Sequence, residues 1–282
     1  MRAAVVKKYG GTENFEVQDW PHPAVKPGEC LIRVRAVGIN FADLMQRMGV
    51  YPGTPKPPFI PGFEVAGTVE KAPDTGKLRA GDRVVVHGAA GGVGVAAVQL
   101  AKARGVEVFG TAGPSKQDFL RKIGVEHPID YSREDFVQAV RRAAPKGIEM
   151  VLDPIGGKSW ARSYACLGMM GRLVVFGFSA AAGASGKRSL PRAMKAFLQT
   201  PRFSPLQLME RNVAVIGVHL GRMAGREAVL GREMEEVMRM YAAGQIQPVV
   251  GKTFVLEQAA EAHRYLHNRR NVGKVVLRVG SA

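Results

Sequence analysis

Only two cysteines, Cys30 and Cys166, occur in the 282 residues. So few thiols exclude a disulfide-stapled secreted scaffold; one bridge is conceivable, but a reducing, cytoplasmic compartment is the simpler expectation. Neither cysteine lies in a paired-cysteine metal motif. Long apolar runs are missing as well: no uninterrupted stretch approaches the roughly 18 residues that a membrane-spanning helix needs. The N-terminus enters an apolar-polar pattern at once, without the basic region and apolar core of a signal peptide. Acidic residues are scarce beside basic ones, 24 Asp and Glu against 40 Lys and Arg, a formal charge of +16. Such an excess can draw nucleic acid, anionic lipid or a phosphorylated dinucleotide. The basic residues are scattered in short pairs such as Arg141-Arg142 and Arg269-Arg270, with no long tail and no Cys/His finger spacing. Nucleic acid is therefore not the expected partner, and most of these charges read as solvated surface.

Apolar residues make up 46% and charged residues 23%, the range of an ordinary globular chain with material for two domains. Residues 1–83 read as a β-rich module. Residues 3–6 and 30–37 are strand-like, with Pro21, Pro23 and Pro27-Gly28 between them. A short helix is expected over 41–47, the Pro-rich stretch 51–61 admits neither helix nor central strand, and 64–70 returns to strand character. From Arg83 the grammar changes to alternating strands (83–87, 106–109, 126–130, 150–153, 172–176, 213–218) and helices (93–104, 119–123, 135–144, 159–166). Alternation of this kind predicts a mostly parallel sheet covered on both faces. Residues 179–189 read as a surface loop carrying Lys187 and Arg188, residues 190–199 as a helix, and Pro201 and Pro205 as bounds of a break. Met234, Val237 and Met238 are expected to make core contacts from a helix over 233–243. A strand and helix within 255–266 and a last strand over 273–277 complete the pattern.

The strongest chemistry is the strand, glycine loop and helix around Ala89-Ala90-Gly91-Gly92-Val93-Gly94. Ala89, Gly91 and Gly94 occupy the three small-residue positions of a dinucleotide loop, with Ala89 in place of the first glycine. The first permits the turn, Gly91 lets backbone approach a pyrophosphate, and Gly94 lets the helix lie close to its strand. Unpaired N-H groups at the helix start then face the phosphate charge. A site selective for NAD usually presents a carboxylate at the end of the second strand; here that strand leads into Gly110-Thr111-Ala112-Gly113-Pro114-Ser115-Lys116, without one. Lys116 can neutralise a ribose 2′-phosphate and Ser115 can donate to it, which favours NADPH; a solvated Lys116 at a helix start is the plain alternative.

These residues, with Gly38-Ile39-Asn40-Phe41-Ala42-Asp43, Pro61-Gly62-Phe63-Glu64, Gly81-Asp82-Arg83-Val84, Val151-Leu152-Asp153 and Asn271-Val272-Gly273-Lys274, resemble the medium-chain dehydrogenase/reductase superfamily. The match is to its zinc-independent quinone oxidoreductase branch and covers nearly the whole chain. Within that branch, residues 190–220 and 262–266 look like the group around synaptic vesicle amine transport protein 1. The resemblance implies an α/β fold: a Rossmann-type, mostly parallel sheet with a second, GroES-like β-rich domain. The expected division is 1–83 for the first part of the GroES-like substrate domain and 84–220 for the dinucleotide domain. Residues 221–282 then end the cofactor domain and return to the GroES-like one. It also implies NADPH as cofactor, hydride transfer to a quinone or an α,β-unsaturated carbonyl compound in an interdomain cleft, and a homodimer.

By the same resemblance, Lys116 and Tyr131 fall on positions for the adenosine phosphate of NADPH. Phe176 and Asn271 join the cofactor-binding set, and Asn40 and Tyr51 lie toward the nicotinamide and substrate, as hydrogen-bond donors to a developing oxyanion. From composition alone Asn40 is an ordinary loop amide and Tyr51 a turn aromatic. Asp43 is expected in a supporting role, Asp153 in forming the cleft, and His219 and His263 as structural. Zinc-dependent relatives place cysteine where this chain has Asn40 and histidine where it has Phe63, so no catalytic zinc is expected. A noncatalytic NADPH-binding regulatory protein is the alternative reading.

One departure from the family pattern stands out. Two similar phrases normally separated by several tens of residues are here merged, Ala80-Gly81-Asp82-Arg83-Val84-Val85 running straight into Val86-His87-Gly88-Ala89. The expectation is a segment missing between Val85 and Val86, an incomplete barrel, and an unpaired strand edge or bared apolar surface at the join.

Overall fold

Residues 1–21, 33–68, 80–182, 189–223 and 227–279 are described by a computed structural model of the chain. Cys30, Glu70, Lys187 and Arg188, expected in strands or loops, lie outside them. Two units are distinguished: Met1–Ala72 with Ala182–Leu190 and Val249–Ala282, and Pro73–Ala181 with Pro191–Pro248.

The first unit opens with strands β1 (Arg2–Val6) and β2 (Phe15–Asp19), paired antiparallel. Strand β3 (Arg33–Ile39) runs into helix α1 (Phe41–Arg47), and strand β4 (Val65–Thr68) pairs antiparallel with β3. Helix α1 starts where Asn40 takes an extended conformation and its N-H donates to the Asp43 carboxylate at 2.6 Å, one half of a capping box. The helix stops before Gly49, whose φ of +70° suits glycine.

The second unit alternates as expected: β5 (Arg83–His87), α2 (Gly92–Ala103), β6 (Glu107–Ala112), α3 (Gln117–Lys122), β7 (His127–Asp130), α4 (Phe136–Ala143), β8 (Ile148–Asp153), α5 (Lys158–Tyr164), β9 (Leu167–Val175), α6 (Leu190–Leu198), α7 (Pro205–Arg211), β10 (Ala214–Gly217) and α8 (Glu227–Ala242). The six strands stand in the order β10-β9-β8-β5-β6-β7 and every neighbouring pair is parallel. Starting from β5 the chain winds outward one way through β6 and β7, then the other way through β8, β9 and β10, the doubly wound arrangement of a Rossmann sheet. Alternate residues of β5 feed opposite cores. Val84 and Val86 pack with Val98 and Ala101 of α2, while Val85 packs with Phe136 and Val140 of α4 and with Leu173 of β9. A strand covered on both faces favours a near-continuous apolar run, as Val84-Val85-Val86 shows.

The chain then returns to the first unit with β11 (Val250–Val255), α9 (Ala259–His267) and β12 (Lys274–Arg278), giving a four-stranded sheet in the order β11-β12-β3-β4. Its core joins Leu44, Met45 and Met48 beside α1 to Ala262 and Leu266 of α9 and Val275 and Leu277 of β12. The fold is thus a Rossmann-like sheet with a smaller β-rich module that the chain enters first and rejoins at its end.

Two expectations need correction. Nothing at Val85 and Val86 marks an internal deletion: they are consecutive residues of one strand whose register with β6 runs unshifted from Arg83 opposite Glu107 to His87 opposite Thr111. The strand is paired with β8 on its other side, and Val84, Val85 and Val86 are at most 1% exposed, so β5 itself leaves neither a free edge nor a bared apolar face. β5 belongs wholly to the central sheet and has no second element to supply. Met234 and Met238 are not core contacts; both are about half exposed, and α8 turns Met240 inward instead. Met240 lies six positions after Met234, which places them on different faces of a helix. The break bounded by Pro201 and Pro205 is present as expected, and Pro205 ends it by starting helix α7: the Ser204 hydroxyl accepts the Gln207 N-H at 3.2 Å and the proline occupies the first turn.

Candidate functional site

In the second unit the dinucleotide loop leaves β5 through Gly88, whose φ is +67°. The Ala89 N-H donates to the Thr111 carbonyl at 3.0 Å, fixing the loop to the end of β6, and the Gly91 N-H closes a turn on the Gly88 carbonyl at 2.8 Å. Gly91 caps α2 in an extended conformation, and the first intrahelical bond runs from Val95 N to Gly91 O at 2.8 Å. The N-H groups of Gly92, Val93 and Gly94 therefore precede the helical ladder and remain for an anion. A Cβ on Gly94 would lie 2.2 Å from the Gly88 carbonyl oxygen and 2.6 Å from the Ala89 Cα, so only glycine lets α2 cross the loop this closely. Ala89 and Ala90 are buried beneath, while the Val93 side chain is 54% exposed.

At the end of β6 the chain turns through Gly113 into a single 3-10 turn, Pro114–Lys116, with Ser115 exposed and Lys116 at the start of α3. Tyr131 follows β7, half exposed, and its hydroxyl would be 3.4 Å from a Cβ on Gly113. Ser115, Lys116 and Tyr131 are thus gathered at neighbouring strand ends. Asp130, opposite Ala112 on β7, is held by the Ser132 N-H and hydroxyl at 2.9 and 2.7 Å. Those bonds keep its carboxyl below the usual carboxylate range. Phe176 follows β9, its N-H donating to the Asp153 carbonyl at 3.3 Å. Asp153 itself, expected to form a cleft, is fully buried and accepts from Ile155 N, Ser159 Oγ and Ser163 Oγ at 2.7 to 2.8 Å.

The first unit carries Asn40, Tyr51 and Asn271. Asn40 is held at both ends of its amide: Lys274 Nζ donates to Oδ1 at 3.1 Å, and Nδ2 donates to Glu64 Oε2 at 3.2 Å. Lys274 also pairs with Glu64 at 2.7 Å. The partnership of Lys274 with Asn40 was not anticipated from sequence, because it depends on β12 pairing antiparallel with β3, Val275 opposite Ile39. Asp43 is 2% exposed, and burial pushes its carboxyl up to about 6, against the Asn40 N-H and the Lys274 charge, which pull it down. The Tyr51 ring stands 5.0 Å from that of Phe63, and its phenol is pushed above its ordinary value by burial and by Asp43. Asn271 is buried, and its amide reaches the Gly273 carbonyl at 3.4 Å.

A zinc ion does not fit this cluster. Asn40 and Phe63 offer no thiolate or imidazole, and the ammonium of Lys274 already neutralises Glu64. A phosphorylated dinucleotide does fit the second unit, where the glycine crossing and the free helix start meet.

Comparison with known proteins bears on both units. The profile of the zinc-binding dehydrogenase family matches residues 123–277, and that of the alcohol dehydrogenase GroES-like domain matches residues 26–118. The synaptic vesicle membrane protein VAT-1 homolog of Danio rerio is 34% identical over 98% of this chain and 69% of its own length. Among solved structures, human VAT-1 homolog-like protein superposes with a TM-score of 0.79 at 27% identity, covering 100% of this chain and 99% of that one. The quinone oxidoreductase of Thermus thermophilus, solved alone and in complex with NADPH, gives 0.72 at 31% identity, covering 99% and 100%.

Proposed function

The chain belongs to the zinc-binding dehydrogenase family, in its zinc-independent, quinone-oxidoreductase-like branch, and on that premise we propose that it is an NADPH-dependent reductase of quinones or α,β-unsaturated carbonyl compounds. The observation that carries the reading is the crossing of α2 over Gly88 and Ala89, which leaves three helix-start amides for a pyrophosphate and tolerates no side chain at Gly94. The lack of a carboxylate on the turn after β6, with Ser115, Lys116 and Tyr131 beside it, favours a 2′-phosphate over a bare ribose. The Thermus relative, which has been solved with NADPH, supports the same choice.

The division of labour among side chains follows. The amides of Gly92, Val93 and Gly94 take the pyrophosphate charge, with Ala89, Ala90 and Gly91 shaping the turn beneath it. Lys116 and Ser115 hold the 2′-phosphate, Tyr131 flanks the adenosine side, and Phe176 and Asn271 complete the cofactor contacts. NADPH, when bound, supplies the hydride. Asn40, oriented by Lys274 and Glu64, keeps one amide hydrogen free to meet an oxyanion. Tyr51, with its phenol held protonated at neutral pH, can do the same. Solvent supplies the closing proton.

Turnover of a panel of quinones and enones with NADPH tests the reading. Oxidation of NADPH on at least one of them is expected. Saturable NADPH binding by a folded preparation without turnover on any would instead favour a noncatalytic NADPH-binding protein.

The assembly proposed with it is a homodimer built on β10. This strand is the outer edge of the six-stranded sheet; Ile216 on it and Val218 just after it are 42% and 36% exposed. An open apolar edge invites pairing with a second copy.

A further inference from the structure

Beneath the dinucleotide loop lies a closed chain of polar side chains in an otherwise apolar sheet. His87 is the last residue of β5, immediately before Gly88. Its Nδ1 is 3.0 Å from Thr111 Oγ1, and its Nε2 is 3.0 Å from Ser163 Oγ. Ser163 Oγ in turn donates to Asp153 Oδ2 at 2.7 Å. At the other end the Gly88 N-H donates to Thr111 Oγ1 at 3.3 Å. His87, Thr111, Asp153 and Ser163 are at most 3% exposed.

Proton counting fixes the direction of every link. Asp153 receives Ser159 Oγ at 2.8 Å, Ile155 N at 2.7 Å and Gly156 N at 3.4 Å besides Ser163, so it acts only as an acceptor. Ser163 spends its single hydroxyl proton there and can only accept from the imidazole, so Nε2 carries the ring proton. The charged groups facing the ring are Asp153, with Oδ2 3.9 Å from Nε2, and Arg162, whose guanidinium lies 4.5 Å over the Phe136 ring that packs edge-on against His87. Burial outweighs Asp153 and holds the imidazole neutral, with Arg162 acting in the same sense. Nδ1 of a neutral ring protonated at Nε2 is an acceptor; it takes the Thr111 hydroxyl proton, which leaves the Thr111 oxygen for Gly88. The bonds therefore run one way, Gly88 to Thr111 to His87 to Ser163 to Asp153. This order also excludes a nucleophilic triad, since the serine proton is already committed to the carboxylate and the imidazole cannot take it.

We propose that Thr111, His87 and Ser163 are positioning residues which, through this one-way relay anchored on Asp153, hold Gly88 and thereby set the loop's affinity for a dinucleotide phosphate. The inference rests on the cofactor reading of the loop and adds to it the side chains that keep the loop in place. Ser163 meets the His87 ring at Nε2 and Thr111 meets it at Nδ1, so the relay reaches Gly88 from Ser163 through His87 and Thr111.

The test pairs two readouts on Ser163→Ala, Thr111→Val and Thr111→Ser: amide hydrogen exchange at Gly88 without ligand, and NADPH titration. Ser163→Ala and Thr111→Val should each speed exchange at Gly88 and weaken NADPH binding roughly five- to tenfold, the scale of one buried hydrogen bond. Thr111→Ser, which keeps the hydroxyl, should restore both. A Ser163→Ala protein that melts earlier yet exchanges at Gly88 and binds NADPH like the parent would overturn the relay as a positioning device. If the parent itself binds no NADPH, the cofactor reading fails and the affinity half of the proposal with it. Exchange at Gly88 still decides whether the relay holds the loop.

Discussion

At the scale of single residues, two buried titratable groups on the β-rich module act in opposite senses. His263 on α9 is 3% exposed and meets Phe15 edge-on at 4.7 Å. Burial, aided by Arg47, pushes its pKa from 6.5 down to about 3. Between those values the unfolded chain binds a proton that the folded chain refuses, so stability falls as the pH drops from 6.5 toward 3, by up to about 1.4 kcal/mol per unit. His263→Phe should remove that slope. In denaturant titrations across this range the variant should gain on the parent as the pH falls, and a difference independent of pH would contradict the assignment. Asp43 carries the reverse sign: with its carboxyl raised to about 6, its contribution is present below the ordinary 3.8 and lost as the pH rises through 6. In the second unit Lys116→Ala should cut the preference for NADPH over NADH by about tenfold or more, the worth of a charge-assisted hydrogen bond; competitive titration of the two nucleotides measures it. The loop and the close crossing of α2 were legible in the sequence because the small residues that such a turn needs lie within one short stretch. Thr111, His87, Ser163 and Asp153 were not, since each is an ordinary strand or helix residue until the sheet brings them together. Lys274 beside Asn40 likewise needs a strand register that no local pattern carries.

At the scale of elements, the crossing of α2 over the loop is the tightest constraint in the Rossmann-like unit. Gly94→Ala should either push α2 off β5 or distort the turn at Gly88, because the added carbon meets backbone rather than a flexible side chain. A loss of about 1–3 kcal/mol of stability is expected, typical of overpacking, together with loss of NADPH binding. Urea unfolding and nucleotide titration on the same preparation check both, and a variant matching the parent in each would show that the crossing is looser than described. The alternation of strand and helix from β5 to β9 could be read directly, since β5 carries a continuous apolar run and the helices that follow are bounded by glycine or a cap. Strand β2 and helix α7 could not: β2 is short and mixed in character, and Pro205 looks like the far side of a break until Ser204 is seen to cap the helix that it starts. The exposed Met234 and Met238 show the limit of periodicity, which finds a stripe but not the side it faces.

For the molecule as a whole, the sequence predicted a damaged join at Val85 and Val86 because it compared repeated phrases. The sheet answers differently, since β5 is paired along both sides and buried on both faces. No helix among the described residues is long and apolar enough to cross a membrane. If β10 forms the contact between copies, sedimentation should give about twice the chain mass of 30.4 kDa, and Ile216→Lys, which sets a charge on the open edge, should shift the protein toward the monomer. A parent that sediments as a monomer at every concentration would remove the homodimer. The central proposal is that the loop after β5 and the turn after β6 bind NADPH for hydride transfer to a quinone or an α,β-unsaturated carbonyl compound. It is tested most directly by following reduced nicotinamide as a quinone or enone is added, with NADPH and NADH in parallel. Faster and tighter use of NADPH is the expected result. A folded protein that oxidises neither nucleotide, or that favours NADH, would contradict it.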